Sequence, residues 1–329
     1  MISLGIESTA HTFGVGIITD KKKILANAKD SYTTKKGGII PAEAASHHVA
    51  CCGDVLQQAL SDAKIRLTDV DLISYSQAPG IGHTLRVGAM FARSLALLTG
   101  KPLIGVNHCI AHLEIGRALT KAKDPVLLYA SGANTQIIAY EGRKYRVFGE
   151  TLDIGIGNLL DSFARILGLG FPGGPKIHEL SLKGKTYIKL PYVVKGMDVS
   201  FGGILTNLRQ KATSGKHRKE DLCYSLQETV YAMLVEVSER AMAHTDKNEL
   251  VLGGGVGCNT RLQEMCRIMC EERKAKFFVP ENQVLVDNGL MIAWQGLIQH
   301  KAGMSTAPED AGINPYQRTD DVSVTWRDA

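Results

Sequence analysis

The sequence predicts a duplicated α/β fold, in which two lobes of similar topology flank a cleft. One order of elements, three strands followed by helix, strand, helix, strand and helix, occurs before residue 123 and again after it. The chain of 329 residues is 44% hydrophobic and 22% charged, which is globular composition with enough residues for two lobes. Its 34 glycines indicate many tight turns. We therefore expect lobes at 1–123 and 124–329, with a helical insertion at about 152–245 in the second.

In the first lobe, apolar runs and turn residues separate the elements clearly. Strands are predicted at 2–7, 12–19, 23–29, 71–77 and 103–106, and helices at 42–62, at 84–98 and from 108 onward. The polar turn Ser8–Thr12 offers small residues and backbone amides that suit a phosphate. His47 and His48 are adjacent on the first helix, where they point in different directions, so solvated side chains are expected.

The second lobe repeats this order around inserted helices. Strands are predicted at 125–129, 135–140, 144–150, from 249 and at 276–280, and helices at 157–169, 176–183, 221–244, 260–270 and 286–300. The stretch 190–201 is expected to be extended, and 211–220 to be a charged loop. The pattern of elements is duplicated although few residues are identical between the halves.

The segment 104–116 carries the clearest candidate for a metal site. Asn107 is a suitable N-cap, which places His108 and His112 in the first two turns of a helix. Residues four apart share one helix face, so both imidazoles can reach one ion. Chance readily produces one such pair among ten histidines, and an exposed polar helix start explains it equally well. Cys109 replaces the glutamate that a zincin needs, which argues against a metalloprotease.

Two further turns indicate a nucleotide between the lobes. Ser131–Asn134 lies in the second lobe where Ser8–Thr12 lies in the first, and a glycine-rich turn at Gly253–Gly257 follows another strand. These turns would hold phosphates and a nucleoside. The chain has neither GxGxxG nor GxxxxGK[ST], so Rossmann and P-loop sites are disfavoured.

Charge and cysteine content limit the environment of the protein. The net charge of +5 permits nucleic-acid binding without requiring it. Seven cysteines form no CxxC pair, the N-terminus does not resemble a signal peptide, and no apolar run is long enough for a membrane span. A reducing cytoplasm and no membrane association are expected.

Seven segments together resemble the universal threonylcarbamoyl-transferase family. They are GIESTAHTFGVGI, GGIIPAEAASHH, NHCIAHLEIG, LYASGANTQI, GNLLDSFARILGLGFPGGP, LGGGVGCNTRL and LVDNGLMIAW. The family includes the catalytic subunit of the archaeal and eukaryotic KEOPS complex and a bacterial counterpart once named an O-sialoglycoprotein endopeptidase. The resemblance runs from residue 2 to about 326 and is strongest to the archaeal branch. It implies an actin/Hsp70/sugar-kinase (ASKHA) fold and transfer of threonylcarbamoyl from threonylcarbamoyl-AMP to the adenosine 3′ of the anticodon in ANN-decoding tRNA.

The resemblance also implies site residues. One iron or zinc ion per subunit would be held by His108, His112, Tyr129 and Asp287. The adenine nucleotide, threonylcarbamoyl-AMP or ATP, would lie against Tyr129, Ala130, Ser131, Gly132, Ala133, Asn134, Asp161, Gly174 and Asn259. The family usually has an acidic ribose contact where this chain has His178, so either His178 or the neighbouring Glu179 would take that role.

Partners are implied in the same way. They are tRNA, a small kinase-like ATPase subunit and small KEOPS accessory proteins. Lys35, Lys36, Arg86 and the 211–220 loop are candidate RNA contacts. Two alternatives are a sugar-kinase-like ATPase on the same fold, which would need no histidine pair, and a scaffold that binds a nucleotide within a complex.

Overall fold

The computed structural model describes residues 1–34 and 38–327. Its strands are β1 Ile2–Glu7, β2 Thr12–Thr19, β3 Ile24–Ser31, β4 Leu72–Ala78, β5 Leu103–Asn107, β6 Val126–Ala130, β7 Thr135–Glu141, β8 Lys144–Glu150, β9 Val194–Lys195, β10 Asp198–Val199, β11 Glu249–Gly253 and β12 Lys276–Phe278. Its helices are α1 Pro41–Ala63, α2 Gly82–Thr99, α3 His108–Leu119, α4 Ile156–Ile166, α5 Gly174–Ser181, α6 Gly202–Thr213, α7 Lys219–His244, α8 Thr260–Glu272, α9 Asn282–Leu285 and α10 Gly289–Lys301.

Two five-stranded sheets with the same topology form the centre of the molecule. Their strand orders are β3-β2-β1-β4-β5 and β8-β7-β6-β11-β12, so each sheet places its first strand in the middle. In both sheets the first three strands are antiparallel, and the last two run parallel to the first. The predicted duplication of the α/β order is therefore present in the topology.

Helix α3 lies between the two sheets and has no solvent face. It packs against β4 and β5 on one side and β6 and β11 on the other, with α10 beside it. Ten of its twelve residues are buried, including His108 and His112. A helix that is enclosed on all sides must bury its polar side chains as well, so each of these needs a partner.

Some local predictions were wrong. The region 211–220 is loop only at 214–218, because α6 continues to Thr213 and α7 begins at Lys219. The last helix begins at Gly289 rather than 286, because Asn288 caps it by accepting from the Met291 amide. His48 is fully buried rather than solvated, since it faces the first sheet with Ala44 and Val55. None of the described helices has the length and apolar composition of a membrane span.

Three glycines allow α10 to lie directly on the first sheet. A Cβ added to Gly16 would be 2.1 Å from the Leu290 nitrogen, and one added to Gly5 would be 2.1 Å from the Ala293 nitrogen. A Cβ on Gly289 would be 2.1 Å from the Gly16 nitrogen. The backbones are in contact here, so no side chain fits between them. This contact fixes the start of α10 and therefore the segment just before it.

We expect Gly16→Ala to destabilise the fold by about 3 kcal/mol, because the methyl group must push α10 away from the sheet. Gly203→Ala is the matched control, since an added Cβ there meets nothing within 4 Å. It should be neutral or slightly stabilising. Urea unfolding followed by circular dichroism measures both changes, and equal stabilities of the two variants would contradict the proposed contact.

Candidate metal centre and nucleotide cleft

The start of α3 is held by the predicted cap. The Asn107 side chain accepts from the amides of Cys109 at 3.1 Å and Ile110 at 3.3 Å. This cap ends β5 and begins the helix without a loop, so His108 is the first helical residue. His108 and His112 then lie on one face, with their ring centroids 4.8 Å apart.

Both imidazoles meet one carboxylate. Asp287 Oδ1 lies 3.4 Å from His108 Nε2 and 3.3 Å from His112 Nε2. Asp287 stands in the break between α9 and α10, the position that the glycine contact of α10 fixes. Burial alone would raise the pKa of Asp287, but the two imidazoles hold it well below its usual range.

Tyr129 completes the group from the second sheet. It is the penultimate residue of β6, and its hydroxyl lies 2.9 Å from His108 Nε2. Burial raises the pKa of this phenol well above its usual value, so without a cation it stays protonated. The four donor groups predicted from the sequence are therefore adjacent, and the histidine, histidine and aspartate atoms lie within 4.8 Å of one another.

This donor set fits a transition-metal ion. Nitrogen and oxygen ligands in a tetrahedral zinc site lie about 2.0–2.2 Å from the metal, which separates them by about 3.3–3.5 Å. The His108–Asp287 and His112–Asp287 distances of 3.4 and 3.3 Å agree with that spacing. Two imidazoles, a carboxylate and a phenol suit iron or zinc, and binding either ion displaces the protons from the coordinating nitrogens.

A large cleft opens beside this group, with a volume of about 1540 Å³. His108, Tyr129 and Asp287 contribute to its wall, whereas His112 lies behind them. The β1–β2 turn lines one side and the β6–β7 turn the other. Both turns were predicted to hold phosphates, and the structure brings them to the same cavity as the candidate metal ligands.

The β6–β7 turn presents its backbone to the cleft. Ser131 closes the turn by donating to the Asn134 carbonyl at 2.9 Å. The amides of Gly132 and Ala133 take part in no backbone hydrogen bond within residues 1–34 and 38–327, so they can serve an anion. Gly157 makes room for this turn, since a Cβ there would lie 2.6 Å from Gly132 Cα. Ala130, by contrast, lies in the core beneath the turn and does not line the cavity.

Most of the predicted nucleoside contacts also line the cleft. Asp161 and Gly174 stand at the α4–α5 end, where Asp161 Oδ1 accepts from the Gly173 amide at 2.7 Å. Burial raises the pKa of Asp161 although two glycine amides oppose the shift. Asn259 lines the wall while it caps α8.

His178 and Glu179 are placed differently. His178 lines the cleft, with Nδ1 3.2 Å from Gln227 Oε1 and Nε2 3.3 Å from Thr260 Oγ1. Glu179 has a side chain that is 74% exposed, and it lies 3.6 Å from Lys183 on the outer face of α5. Of the two, only His178 lines the cleft.

Of the candidate RNA contacts, none lines the cleft among the described residues. Arg86 stands beside a shallow apolar groove between α1 and α2. Residues 214–218 form an exposed basic loop between α6 and α7. Lys35 and Lys36 lie outside the described residues.

Comparison with known proteins identifies the family. The model of the TsaD family, tRNA N6-adenosine threonylcarbamoyltransferase, matches residues 23–294. The chain belongs to this family. A protein of that name from Thermococcus kodakarensis is 57% identical over 99% of this chain and 100% of its own length. One from Xenopus laevis is 50% identical over 99% of each chain.

A longer relative and two solved structures complete the comparison. A probable bifunctional tRNA threonylcarbamoyladenosine biosynthesis protein from Methanosarcina mazei is 55% identical, and the match covers 98% of this chain and 59% of that protein. HypF of T. kodakarensis superposes with a TM-score of 0.65 at 15% identity, over 91% of this chain and 48% of its own. Component A of the (R)-2-hydroxyglutaryl-CoA dehydratase of Acidaminococcus fermentans superposes with a TM-score of 0.58 at 14% identity, over 92% of this chain and 100% of its own. These structures confirm the predicted ASKHA fold.

Glu7 is a residue of the candidate metal centre that the sequence interpretation missed. It ends β1, is fully buried, and places Oε2 2.9 Å from His108 Nδ1. Its other oxygen accepts from the Thr9 amide at 2.7 Å in the β1–β2 turn. Burial alone would lower the pKa of His108, but the carboxylates of Glu7 and Asp287 raise it to about 10. Glu7 therefore connects the β1–β2 turn with His108, and a charged residue ending an apolar strand was the available signal.

We expect Glu7→Gln to weaken metal binding by about 10- to 100-fold, because the amide cannot orient and polarise His108 as the carboxylate does. Competition with a chromophoric chelator measures this affinity in the purified protein. Glu179→Gln, an exposed carboxylate change on α5, serves as the control and should leave the affinity unchanged. A Glu7→Gln protein that folds and binds the ion as tightly as wild type would exclude this role.

Proposed function

We propose that this chain is a tRNA N6-adenosine threonylcarbamoyltransferase that acts in the cytoplasm. It would move the threonylcarbamoyl group from threonylcarbamoyl-AMP to the adenosine 3′ of the anticodon in ANN-decoding tRNAs. One observation carries the proposal: the metal-donor group of His108, His112 and Asp287 meets a nucleotide-sized cleft lined by the two anion-binding turns. The relatives' printed names support the same activity.

We place the boundary between the two lobes between residues 123 and 124. The adenylate would occupy the cleft between these lobes. Its phosphate would accept from the free amides of Gly132 and Ala133. Its nucleoside would lie toward Asp161, Gly174 and Asn259, with His178 at the ribose. A volume of about 1540 Å³ exceeds the 300–1,000 Å³ of most small-molecule pockets, so the cleft can admit a target nucleotide as well.

Iron or zinc would be held by His108, His112, Asp287 and Tyr129, one ion per subunit. When bound, the ion would supply a Lewis acid for the carbonyl of the threonylcarbamoyl group. Glu7 would fix the orientation of His108, and Asn107 would fix the start of its helix. The low pKa of Asp287 keeps its carboxylate charged and ready to coordinate.

The reaction is direct acyl transfer. The exocyclic amine of the adenosine attacks the carbamoyl carbon, a C–N bond forms, and the bond from that carbon to the phosphate oxygen breaks to release AMP. The amine gives up one proton, which the departing phosphate or water accepts. The Gly132 and Ala133 amides would stabilise the negative charge of the leaving phosphate. This route requires no side-chain nucleophile. It agrees with the cleft, where the lining thiol among the described residues, that of Cys258, has a pKa raised by burial.

The tRNA would be held by dispersed cations and by partner subunits. The exposed 214–218 loop and Arg86 are the described candidates on this chain, and a net charge of +5 leaves much of the phosphate binding to partners. We propose that these are a small kinase-like ATPase and small accessory proteins of a KEOPS-type complex. The bifunctional name of the M. mazei relative supports such an association.

The activity is tested by reconstitution. Purified protein is combined with threonylcarbamoyl-AMP, metal and unmodified ANN-decoding tRNA, with and without accessory subunits, and nucleoside mass spectrometry detects threonylcarbamoyladenosine. We expect product with wild type and none with the His108→Ala/His112→Ala variant, because the variant lacks both imidazole donors. The His244→Ala variant, altered at the far end of α7, is the control and should retain activity.

Product formed equally by the double histidine variant would exclude the metal site from the reaction. Hydrolysis of ATP with no transfer under any condition would favour the sugar-kinase-like ATPase instead. Nucleotide binding with neither reaction would favour a scaffold.

The ribose contact is tested separately. We expect His178→Ala to raise the KM for threonylcarbamoyl-AMP about 10-fold with little change in kcat, because it removes a uniform binding contact. Glu179→Ala should leave both parameters unchanged, since that side chain points away from the cleft. Steady-state kinetics on the two variants distinguishes them, and the opposite pattern would assign the contact to Glu179.

A further inference from the structure

A second group of metal-binding side chains lies outside the cleft, where α1 packs beside β3. His47 and Cys51 are one helical turn apart on α1, so they share one face of that helix. Asp30 projects from the neighbouring strand β3 toward the same face. None of the three lines the cleft, and none contacts the donors of the first centre.

The geometry of this group is that of a small chelating site. One donor atom from each of Asp30, His47 and Cys51 lies within 4.8 Å of the other two. Asp30 Oδ1 is 3.2 Å from His47 Nε2, and Cys51 Sγ is 3.8 Å from His47 Nδ1. The two contacts use different ring nitrogens, and one ion takes only one of them. An ion held by His47 Nδ1 and Cys51 therefore requires Asp30 to leave Nε2 and turn toward the Nδ1 side.

We propose that Asp30, His47 and Cys51 bind a second transition-metal ion, of which Zn²⁺ is the best match. A thiolate, an imidazole and a carboxylate are the three ligand types that zinc takes in proteins, and they leave a fourth position for water. Tetrahedral zinc places such ligands about 3.3–3.7 Å apart. The observed atoms must therefore approach by up to about 1 Å.

The required adjustment falls on the side chain that is free to make it. Asp30 is 56% exposed at its side chain, while His47 is 23% exposed and Cys51 is buried. The helix thus fixes two donors, and the strand supplies a third that can turn toward the ion from the solvent side. That open side is also a path by which an ion can enter.

A neighbouring histidine strengthens the inference. His48 is fully buried, and its Nδ1 lies 3.3 Å from His47 Nδ1. Within the described part of the chain, His48 Nε2 is a buried polar atom without a hydrogen-bond partner. Burial lowers the pKa of His48 to about 4, so His48 stays neutral and adds no positive charge that would repel an ion at His47.

The same residues do not fit a reactive cysteine. Burial raises the pKa of the Cys51 thiol to about 11. Without a cation the thiol therefore stays protonated and is a poor nucleophile. A metal ion changes this balance because it displaces the thiol proton on binding. The chemistry available to the group is coordination, which would tie β3 to α1.

Cobalt substitution tests the proposal with a signal that belongs to this site alone. Chelator-stripped protein is titrated with Co²⁺ and followed for a thiolate-to-cobalt charge-transfer band in the near ultraviolet. The donors of the first centre, His108, His112, Asp287 and Tyr129, contain no sulfur. We expect wild type to show the band and to bind one Co²⁺ ion per chain in addition to the ion at the first centre.

The matched variants are Cys51→Ser and Cys52→Ser, adjacent thiols on the same helix. Cys51→Ser should lose the band and one ion, and Cys52→Ser should keep both. Asp30→Asn, an exposed change that leaves the fold intact, should keep the band but require at least 10-fold more cobalt.

Zinc should raise the Tm of wild type more than that of Cys51→Ser. A wild-type protein that shows no band would overturn the proposal, as would a band that survives in Cys51→Ser or disappears in Cys52→Ser. If Cys51→Ser does not fold, the Asp30→Asn titration decides, because an unchanged cobalt affinity in that variant would equally refute the site. None of these measurements depends on transferase activity.

Discussion

The structure depends on the burial of two imidazoles between two sheets. A histidine pair in the middle of a protein is unfavourable unless its hydrogen-bonding atoms meet partners of suitable charge. Glu7 and Asp287 provide these partners from opposite sides of His108, one at the end of β1 and one before α10. The N-cap of α3, the close contact of α10 with the first sheet and the end of β6 all serve to bring these groups together.

The general fold could be predicted because the repeated pattern is carried by long apolar segments. Each central strand is flanked by turn residues, and the helices that cover the sheets have clear apolar faces. The pair His108 and His112 and its cap could be located for the same reason, since helix spacing and N-cap chemistry are local. The convergence of Asp287 and Tyr129 on that pair came from family resemblance, because residues so distant in sequence share no local signal.

The failures have identifiable physical causes. His48 falls on the same stripe of α1 as Ala44, Cys51 and Val55, so the helical period already contained the signal for its burial. The sequence interpretation treated His48 as solvated because histidine is polar, and it did not use the position of His48 on the helix. Glu7 was treated only as the end of a strand, because nothing local indicates which side chain a buried carboxylate will meet. The helix break at Asp287 depended on a backbone contact between Gly16 and Gly289, which are far apart in the chain.

The donors at the candidate metal centre are held by both sheets: His108 and His112 follow β5, Asp287 precedes α10 on the first sheet, and Tyr129 belongs to β6 of the second sheet. Residues from both halves of the chain line the cleft beside this group. A change in the position of one sheet relative to the other would therefore change the distance from Tyr129 to the other donors. By linkage, a nucleotide that raises the affinity for the ion must itself bind more tightly, by the same factor, when the ion is present. The supply of metal would thus act on substrate capture as well as on the chemical step.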